Sequence, residues 1–227
     1  MQGGLAIFVK TPGLSPLKTR LAVGIGSDSE RWYRLAVDAV KSVALEAQTA
    51  TGISAYWAVA ENEGMQNSLW QSLPRLMQSD DSETGLGERM GRVMRMLIHQ
   101  HGFGILLGAD APQICSADIQ AAVDFLNHEK PRLVLGPASD GGFWCVGSNV
   151  KFPIELWQSV TYSQPDTYRN FISAFSPQAE VFTLRILSDV DEASDLALCH
   201  RELETLEHST SEQKALLNTF AYTAISA

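Results

Sequence analysis

The sequence lacks a long apolar run and contains few cysteines. No stretch approaches the roughly 18 apolar residues that a membrane-spanning helix requires, and Met1 to Gly4 lack the basic start of a signal peptide. The three cysteines, Cys115, Cys145 and Cys199, are odd in number and widely spaced. This pattern favours free thiols over a disulfide framework or a zinc site. We therefore expect a cytoplasmic protein without a membrane span.

Basic residues are also scarce, because 17 lysines and arginines face 26 aspartates and glutamates, for a net charge of -9. A general nucleic-acid-binding protein would carry a broad basic face, so we expect no nucleic-acid partner. Small anionic ligands remain compatible with this charge, since one cavity can be positive on an acidic protein. The sequence also shows no Walker phosphate loop, no GxGxxG motif and no Ser-His-Asp order.

What the sequence does contain is an alternation of strand-like and helix-like segments. Strand-like runs lie at 5–9, 53–59, 104–108, 133–135, 143–147 and 181–187, and helix-like spacing lies at 28–47, 86–99, 116–127, 165–175 and 193–206. This order predicts a three-layer α/β/α fold, with a mostly parallel sheet and helices on both of its faces. Because no repeat or linker interrupts it, we expect residues 1–227 to form a single domain.

The first polar motif follows the first predicted strand, where ligands bind in such sheets. In "VKTPGLSPLKTRL", Lys18 and Arg20 lie two residues apart, so an irregular loop can direct both at one anion. Arginine offers a bidentate fork and lysine a point charge, a combination that suits phosphate. A solvated loop with scattered charges is the alternative.

Asp110, in "GADAP", directly follows the apolar strand at 104–108. A carboxylate at the end of a central strand is costly to desolvate without a partner. Mg²⁺ is a natural partner, because it favours one or two carboxylates plus phosphate oxygens and water. The alternative is that Asp110 caps the next helix, but Ser116 lies closer to that helix and is the better cap.

Two later motifs have both a structural and a functional interpretation. "SDGGFWCVG" predicts a turn between two strands, and its glycines would also let a ligand approach Asp140 and Trp144. In "SDVDEASDL", Asp189 and Asp191 point the same way if the chain is extended, so they can complete a metal site with Asp110. The alternative is an acidic start to the next helix, where carboxylates favour the helix dipole.

A weaker motif is "GLGERM", which places Gly85 and Gly87 at the start of a predicted helix. Free N–H groups at a helix start can meet a base or a phosphate. Arg89 can take part in that contact, or it can form a surface pair with Glu88.

In this order along one chain, the motifs resemble those of the glycosyltransferase-A superfamily, the nucleotide-diphospho-sugar transferases. The chain looks closest to a bacterial branch of uncharacterised glycosyltransferases, related to the molybdopterin and phospholactate nucleotidylyltransferases. The matching stretches are "FVKTPGLSPLKTRLA", "GLGERM", "GADAP", "ASDGGFWCVG" and "DVDEASDL". They extend from Phe8 to Leu196, which is most of the chain.

The resemblance implies a Rossmann-like sheet with a nucleotide over its amino-terminal half, and it implies a role for each motif. Lys18 and Arg20 would contact the phosphates of a nucleotide and act in catalysis. Asp110 would take the superfamily's metal-binding position and Asp191 its second one, with Asp189 the weaker match, for Mg²⁺ or Mn²⁺. The remaining nucleotide-side residues would be Lys10, Thr11, Pro12, Gly13, Gly87 and Arg89. The acceptor or sugar side would be lined by Asp140, Gly141, Gly142, Phe143 and Trp144, with Asp140 a candidate catalytic base.

Three activities therefore stay open. The first is metal-dependent transfer of a sugar from a nucleotide-activated donor to a small-molecule acceptor. The second is a nucleotidylyltransferase that uses an NTP and releases pyrophosphate. The third is a catalytically silent nucleotide-binding protein, because Ser15, Gly85 and Glu192-Ala193 depart from the residues common in related motifs. The expected partners are a nucleotide or nucleotide-sugar, an unidentified acceptor and, as an open alternative, a second copy in a homodimer.

Overall fold

The computed structural model describes residues 2–79, 81 and 83–220. The strands are β1 (Gly4–Val9), β2 (Ser54–Val59), β3 (Arg75–Met77), β4 (Gly104–Gly108), β5 (Arg132–Pro137), β6 (Phe143–Ser148) and β7 (Glu180–Thr183). The helices are α1 (Thr19–Ile25), α2 (Asp28–Thr51), α3 (Leu86–His101), α4 (Ser116–Leu126), α5 (Ile154–Gln158), α6 (Thr167–Phe175), α7 (Leu196–Glu204) and α8 (Ser211–Phe220). Short 3-10 turns lie at Glu63–Gln66, Ser68–Trp70, Ser176–Gln178 and Ala193–Asp195.

The strands form one seven-stranded sheet in the order β3-β2-β1-β4-β6-β5-β7. Every ladder is parallel except those of β6, which pairs antiparallel with β4 and with β5. The predicted mostly parallel α/β fold is therefore confirmed. The exception arises because a tight hairpin joins β5 to β6, and a hairpin reverses the chain without a crossover helix.

Helices cover both faces of the sheet because its strands are apolar on both sides. In β1, Leu5, Ile7 and Val9 belong to one core, which α2, α4, α7 and α8 complete. Ala6 belongs to the other core, where α3, α5 and α6 pack. This two-faced burial explains why the strands read as continuous apolar runs and not as alternating ones.

Some local predictions were wrong. The last strand ends at Thr183 and not at residue 187, because the chain then leaves the ladder and keeps only an isolated bridge between Ala138 and Leu187. The residue that caps α4 is Cys115 and not Ser116. The backbone N–H of Cys115 donates to Oδ2 of Asp118 at 2.9 Å. The seven-residue helix α1 follows the first loop and is too short to show a clear period.

No helix in the described part of the chain is both long enough and apolar enough to cross a membrane.

Candidate functional site

The polar motifs meet at one edge of the sheet, where β1, β4 and β5 end and β6 begins. A cavity of about 610 Å³ opens at this edge. Its charged lining residues are Lys10, Lys18, Arg20, Asp110, Asp140, Asp189 and Asp191. The site thus combines three cations with four carboxylates that come from segments far apart in the sequence.

Lys18 lies at the centre of these charges. Its Nζ is 2.7 Å from Oδ1 of Asp110 and 3.2 Å from Oδ1 of Asp191. It also donates a 2.6 Å hydrogen bond to the carbonyl oxygen of Val190. An ammonium has three N–H donors, so this geometry gives each of them a partner inside the protein. We call Lys18, Asp110 and Asp191 the ion-pair cluster.

The ion-pair cluster keeps Lys18 charged although its side chain is only 6% exposed. Burial alone lowers the pKa of the ammonium. The charges and hydrogen bonds of Asp110 and Asp191 outweigh burial, and they raise this pKa above the ordinary lysine value. Lys18 is therefore a buried cation that links the end of β4 to the segment after β7.

The backbone of the first loop directs Lys18 at the aspartates. Lys18 immediately precedes α1 and adopts the left-handed conformation, with φ 45° and ψ 42°, which costs a residue with a Cβ about 1–2 kcal/mol. Tyr33 of α2 holds the start of the loop. Its hydroxyl accepts a 2.9 Å bond from the N–H of Lys10 and donates a 3.0 Å bond to the carbonyl of Lys10. Packing and hydrogen bonds thus maintain a strained backbone at the cavity wall.

Arg20 extends the charged network towards solvent. Its Nη2 lies 2.5 Å from Oδ2 of Asp191, while its side chain remains 67% exposed. Both carboxylate oxygens of Asp191 are therefore paired, one with Lys18 and one with Arg20. An exposed ion pair contributes at most about 1 kcal/mol, so Arg20 can turn towards an anionic ligand at little cost.

Asp189 is the carboxylate that this environment perturbs most. Burial, followed by the nearby charges of Asp140, Asp191 and Asp110, raises the pKa of Asp189 to about 7. Ionised Asp189 is therefore disfavoured here, first by burial and then by these neighbouring carboxylates. A cation bound nearby would favour it, because opposite charge stabilises the ionised carboxylate.

The donor set fits a divalent cation that binds together with a phosphate. In the part of the chain that the structure describes, no group of three or more His, Cys, Asp or Glu side chains is gathered as a metal site. Mg²⁺ does not require one, because it keeps several waters and uses one or two carboxylates plus phosphate oxygens. Asp110 and Asp191 supply hard oxygen donors of that kind, and Mn²⁺ suits the same ligands.

The hairpin between β5 and β6 forms the opposite wall of the cavity. Oδ1 of Asp140 accepts a 2.7 Å hydrogen bond from the N–H of Gly142, which closes the turn. Gly141 has φ +90°, and a Cβ there would collide with the carbonyl of Pro165, so the position requires glycine. Trp144 is 4% exposed and is mainly a core residue that contributes to the cavity wall.

Six predicted residues do not line the main cavity, namely Thr11, Pro12, Gly13, Gly87, Arg89 and Gly141. Thr11 is fully buried, and its Oγ1 accepts a 3.0 Å bond from the indole of Trp70. The guanidinium of Arg89 donates to backbone carbonyls, including that of Thr84 at 2.7 Å. Gly87 lines a second cavity of about 500 Å³, and the backbone of Trp157 lies where its Cβ would be.

Sequence reasoning missed two parts of the wall. Gln78 follows β3, is 5% exposed, and donates from Nε2 to the carbonyl of Ala58 at 2.9 Å. Residues of 162–167, between α5 and α6, cover the hairpin side, and Ser163 there has φ 58°. The turn-forming composition of "SQPD" indicates a loop, but it does not indicate where in the fold the loop lies.

A buried polar network supports the segment after β7 from behind. Oε2 of Glu202, on α7, accepts a 2.6 Å bond from Oγ of Ser188 and a 2.7 Å bond from Nε2 of Gln113. Arg185 forms two 2.9 Å bonds to the carboxylate of Asp118 on α4. Because Ser188 directly precedes Asp189, these contacts fix the aspartates that face the cavity.

Comparison with protein families gives one match. A family model described as "Uncharacterized protein conserved in bacteria (DUF2064)" matches residues 42–164, which is more than half of the chain. No curated protein matches this chain.

Comparison with solved structures supports the fold. A candidate nucleotide-diphospho-sugar transferase from Desulfovibrio desulfuricans G20 is 23% identical, with a TM-score of 0.82 over 99% of this chain and 98% of that one. A CMP-2-keto-3-deoxy-manno-octonic acid synthetase complexed with CTP is 12% identical, with a TM-score of 0.56 over 91% and 100%. A cytidylyltransferase from Leptospira borgpetersenii is 13% identical, with a TM-score of 0.54 over 100% and 98%. The chain therefore has the nucleotide-diphospho-sugar transferase fold that the sequence predicts.

Proposed function

The chain belongs to the bacterial family DUF2064, and we propose that it is a transferase that acts on a nucleotide-activated donor. The observation that carries this proposal is the ion-pair cluster of Lys18, Asp110 and Asp191, which lies in a cavity at the carboxyl edge of the sheet. Ligands of open α/β sheets bind at this edge. At this edge, a lysine can bind a phosphate, and the carboxylates beside it can bind the metal that accompanies the phosphate.

The first loop would hold the diphosphate of the donor. Arg20 is exposed and can form a bidentate contact with phosphate oxygens. Lys10 is exposed at the same wall, and Lys18 adds a third cation. These charges would stabilise the negative charge that develops on the leaving diphosphate, which is the main electrostatic demand of the transfer.

Asp110 and Asp191 would hold Mg²⁺ or Mn²⁺, which would supply further stabilisation of charge on the diphosphate. The role of the chain itself is to hold these carboxylates in place. The N–H of Val190 donates a 3.2 Å bond to the carbonyl of Asp110, which ties the two acidic segments together.

The acceptor would bind beside the hairpin, between Asp140 and the segment 162–167. Asp140 is exposed, and the N–H of Gly142 orients its carboxylate, so it can accept a proton from an acceptor hydroxyl. We assign it as the candidate general base. Asp189 lines the same cavity, and burial together with neighbouring carboxylates raises its pKa to about 7.

Nucleotidyl transfer is the second candidate. Two proteins of similar fold are a synthetase complexed with CTP and a cytidylyltransferase. The same cations and carboxylates would then stabilise attack at the α-phosphate of an NTP, and pyrophosphate would leave. The cavity has room for either donor.

Calorimetric titration tests the proposal. Nucleoside diphosphates, nucleotide-sugars and NTPs are titrated into the protein with Mg²⁺ and with EDTA. We expect metal-dependent binding that Asp110→Ala weakens by at least about tenfold, as loss of a group that holds a metal typically does. Arg95→Met, which removes an exposed charge on α3 outside the cavity, should bind like the wild type.

Product analysis then separates the alternatives. Release of pyrophosphate from an NTP supports nucleotidyl transfer, and release of a nucleoside diphosphate from a nucleotide-sugar supports sugar transfer. Metal-dependent binding with neither product supports the catalytically silent alternative. If none of the nucleotides binds in the presence of Mg²⁺ or Mn²⁺, the proposed function is refuted.

A further inference from the structure

We propose that Lys18 is a built-in counter-cation that keeps a divalent metal out of the cavity until a nucleotide phosphate draws Lys18 away from Asp110 and Asp191. Metal and nucleotide would then enter together, and the metal would not bind first. This inference deepens the proposed function and rests on it for the identity of the phosphate ligand. Its central claim, that Lys18 and the metal compete for the same carboxylates, concerns the nucleotide-free protein alone.

All three N–H donors of Lys18 have partners inside the protein. They meet Oδ1 of Asp110, Oδ1 of Asp191 and the carbonyl oxygen of Val190, at 2.7, 3.2 and 2.6 Å. With these contacts in place, Lys18 has no N–H left for a phosphate. A role in phosphate binding therefore requires Lys18 to release at least one acceptor.

The carboxylates of the ion-pair cluster are paired as well. Lys18 holds Oδ1 of Asp110, and Asp191 has both oxygens paired, with Lys18 and with Arg20. A divalent cation at these oxygens would lie next to a buried ammonium, where repulsion is weakly screened. The metal and the ammonium of Lys18 therefore exclude each other at the ion-pair cluster.

A phosphate can resolve this competition. Movement of Lys18 onto a phosphate exchanges one anionic partner for another, so the ammonium stays paired. The two aspartates, freed from Lys18, become available to the metal that accompanies the phosphate. Lys18 already lines the cavity in which the phosphate would bind.

The test is the affinity for Mn²⁺ alone, measured by calorimetry without nucleotide. Lys18→Met retains a stem of similar length and removes the ammonium, whose Nζ lies 5.7 Å from the centroid of the Trp32 ring. We expect this variant to bind Mn²⁺ at least about tenfold more tightly than the wild type, within the usual range of coupling between two ligands. Unchanged or weaker Mn²⁺ binding would overturn the inference.

Lys10→Met is the matched control, because it removes the same charge from the same cavity at a residue that forms no ion pair among the described residues. We expect its Mn²⁺ affinity to change by less than about threefold, since an exposed charge is well screened. An equal gain in both variants would show a general effect of charge and would also overturn the inference.

A crystal structure of the wild type covers the case in which Lys18→Met does not fold. Crystals are soaked with Mn²⁺ and whichever of CDP, UDP, GDP and ADP binds most tightly. We expect Nζ of Lys18 on a phosphate oxygen, with Mn²⁺ at Asp110. Mn²⁺ bound while Lys18 still contacts both aspartates would refute the exchange. If no nucleotide binds but Lys18→Met gains Mn²⁺ affinity, the proposed function fails and the competition stands.

Discussion

Replacement of Glu202 by alanine would test whether the buried network behind the cavity positions the aspartates in front of it. Oε2 of Glu202 accepts from Ser188 at 2.6 Å and from Gln113 at 2.7 Å, and both of these partners are almost fully buried. The variant removes the carboxylate that accepts both bonds, so the hydroxyl of Ser188 loses this hydrogen-bond acceptor. Nothing in this network touches the cavity, so any effect on ligand binding must travel through the backbone at Ser188 and Asp189.

The expected loss of stability follows from these contacts. A hydrogen bond to a charged group contributes about 1.5–3 kcal/mol. Gln113 keeps contacts to the carbonyl and hydroxyl of Ser188, which moderates the loss. We therefore expect the free energy of unfolding to fall by about 2–4 kcal/mol, which leaves a domain of ordinary stability folded. Affinity for the metal–nucleotide pair should fall by about tenfold, as it does when groups behind a metal site are removed.

Urea unfolding and calorimetry, run on the same preparations, would measure both effects. Glu204→Ala is the matched control, since Glu204 lies on the same helix and is 56% exposed, and its one ion-pair contact among the described residues is with His200 at 3.7 Å. Its stability should change by less than about 0.5 kcal/mol. If Glu202→Ala unfolds and binds like Glu204→Ala, the network does not position the aspartates.

Three further changes have expected outcomes. Gly141→Ala should lower stability by about 1–3 kcal/mol in urea unfolding, because φ is +90° and the carbonyl of Pro165 occupies the place of the new methyl group. Phe171→Ala should cost about 3–5 kcal/mol, because its ring is fully buried and stacks on Phe175 at 4.0 Å; a loss under about 1 kcal/mol would contradict this packing. Burial and neighbouring carboxylates raise the pKa of Asp189 from 3.8 to about 7, so the folded chain binds this proton more tightly than the unfolded chain, and stability falls as pH rises across that range. In EDTA, the stability that Asp189→Asn gains over the wild type should therefore be larger at pH 8 than at pH 5; an equal gain in thermal unfolding at both pH values would contradict it.

The sequence was sufficient for the fold because apolar runs and helical spacing report burial directly. It also indicated most of the charged cavity wall, since Lys18, Asp110 and Asp191 each follow a strand. Such patterns do not encode the distances between side chains. Nothing in "SPLKTR" indicates that Lys18 uses its three donors inside the protein, because its partners lie about 90 and 170 residues away.

Other differences also have physical reasons. The strand after residue 180 is shorter than predicted because the Arg185 side chain turns to Asp118 and the chain leaves the ladder. Cys115 precedes α4 where Ser116 was expected, because the carboxylate of Asp118 reaches back to the backbone of Cys115. Residues of 162–167 reach the cavity only through the packing of α5 and α6, which a local pattern does not encode.

The separation of Lys18 from Asp191, 173 positions along the chain, has a consequence for synthesis of the protein. At about 5–20 residues per second, the ribosome adds the second aspartate on the order of ten seconds or more after the lysine. During that interval the first loop is a cationic segment without half of its counter-charge. The cavity is therefore completed late in translation, and a nascent chain that ends before Asp191 would present the loop to any polyanion nearby.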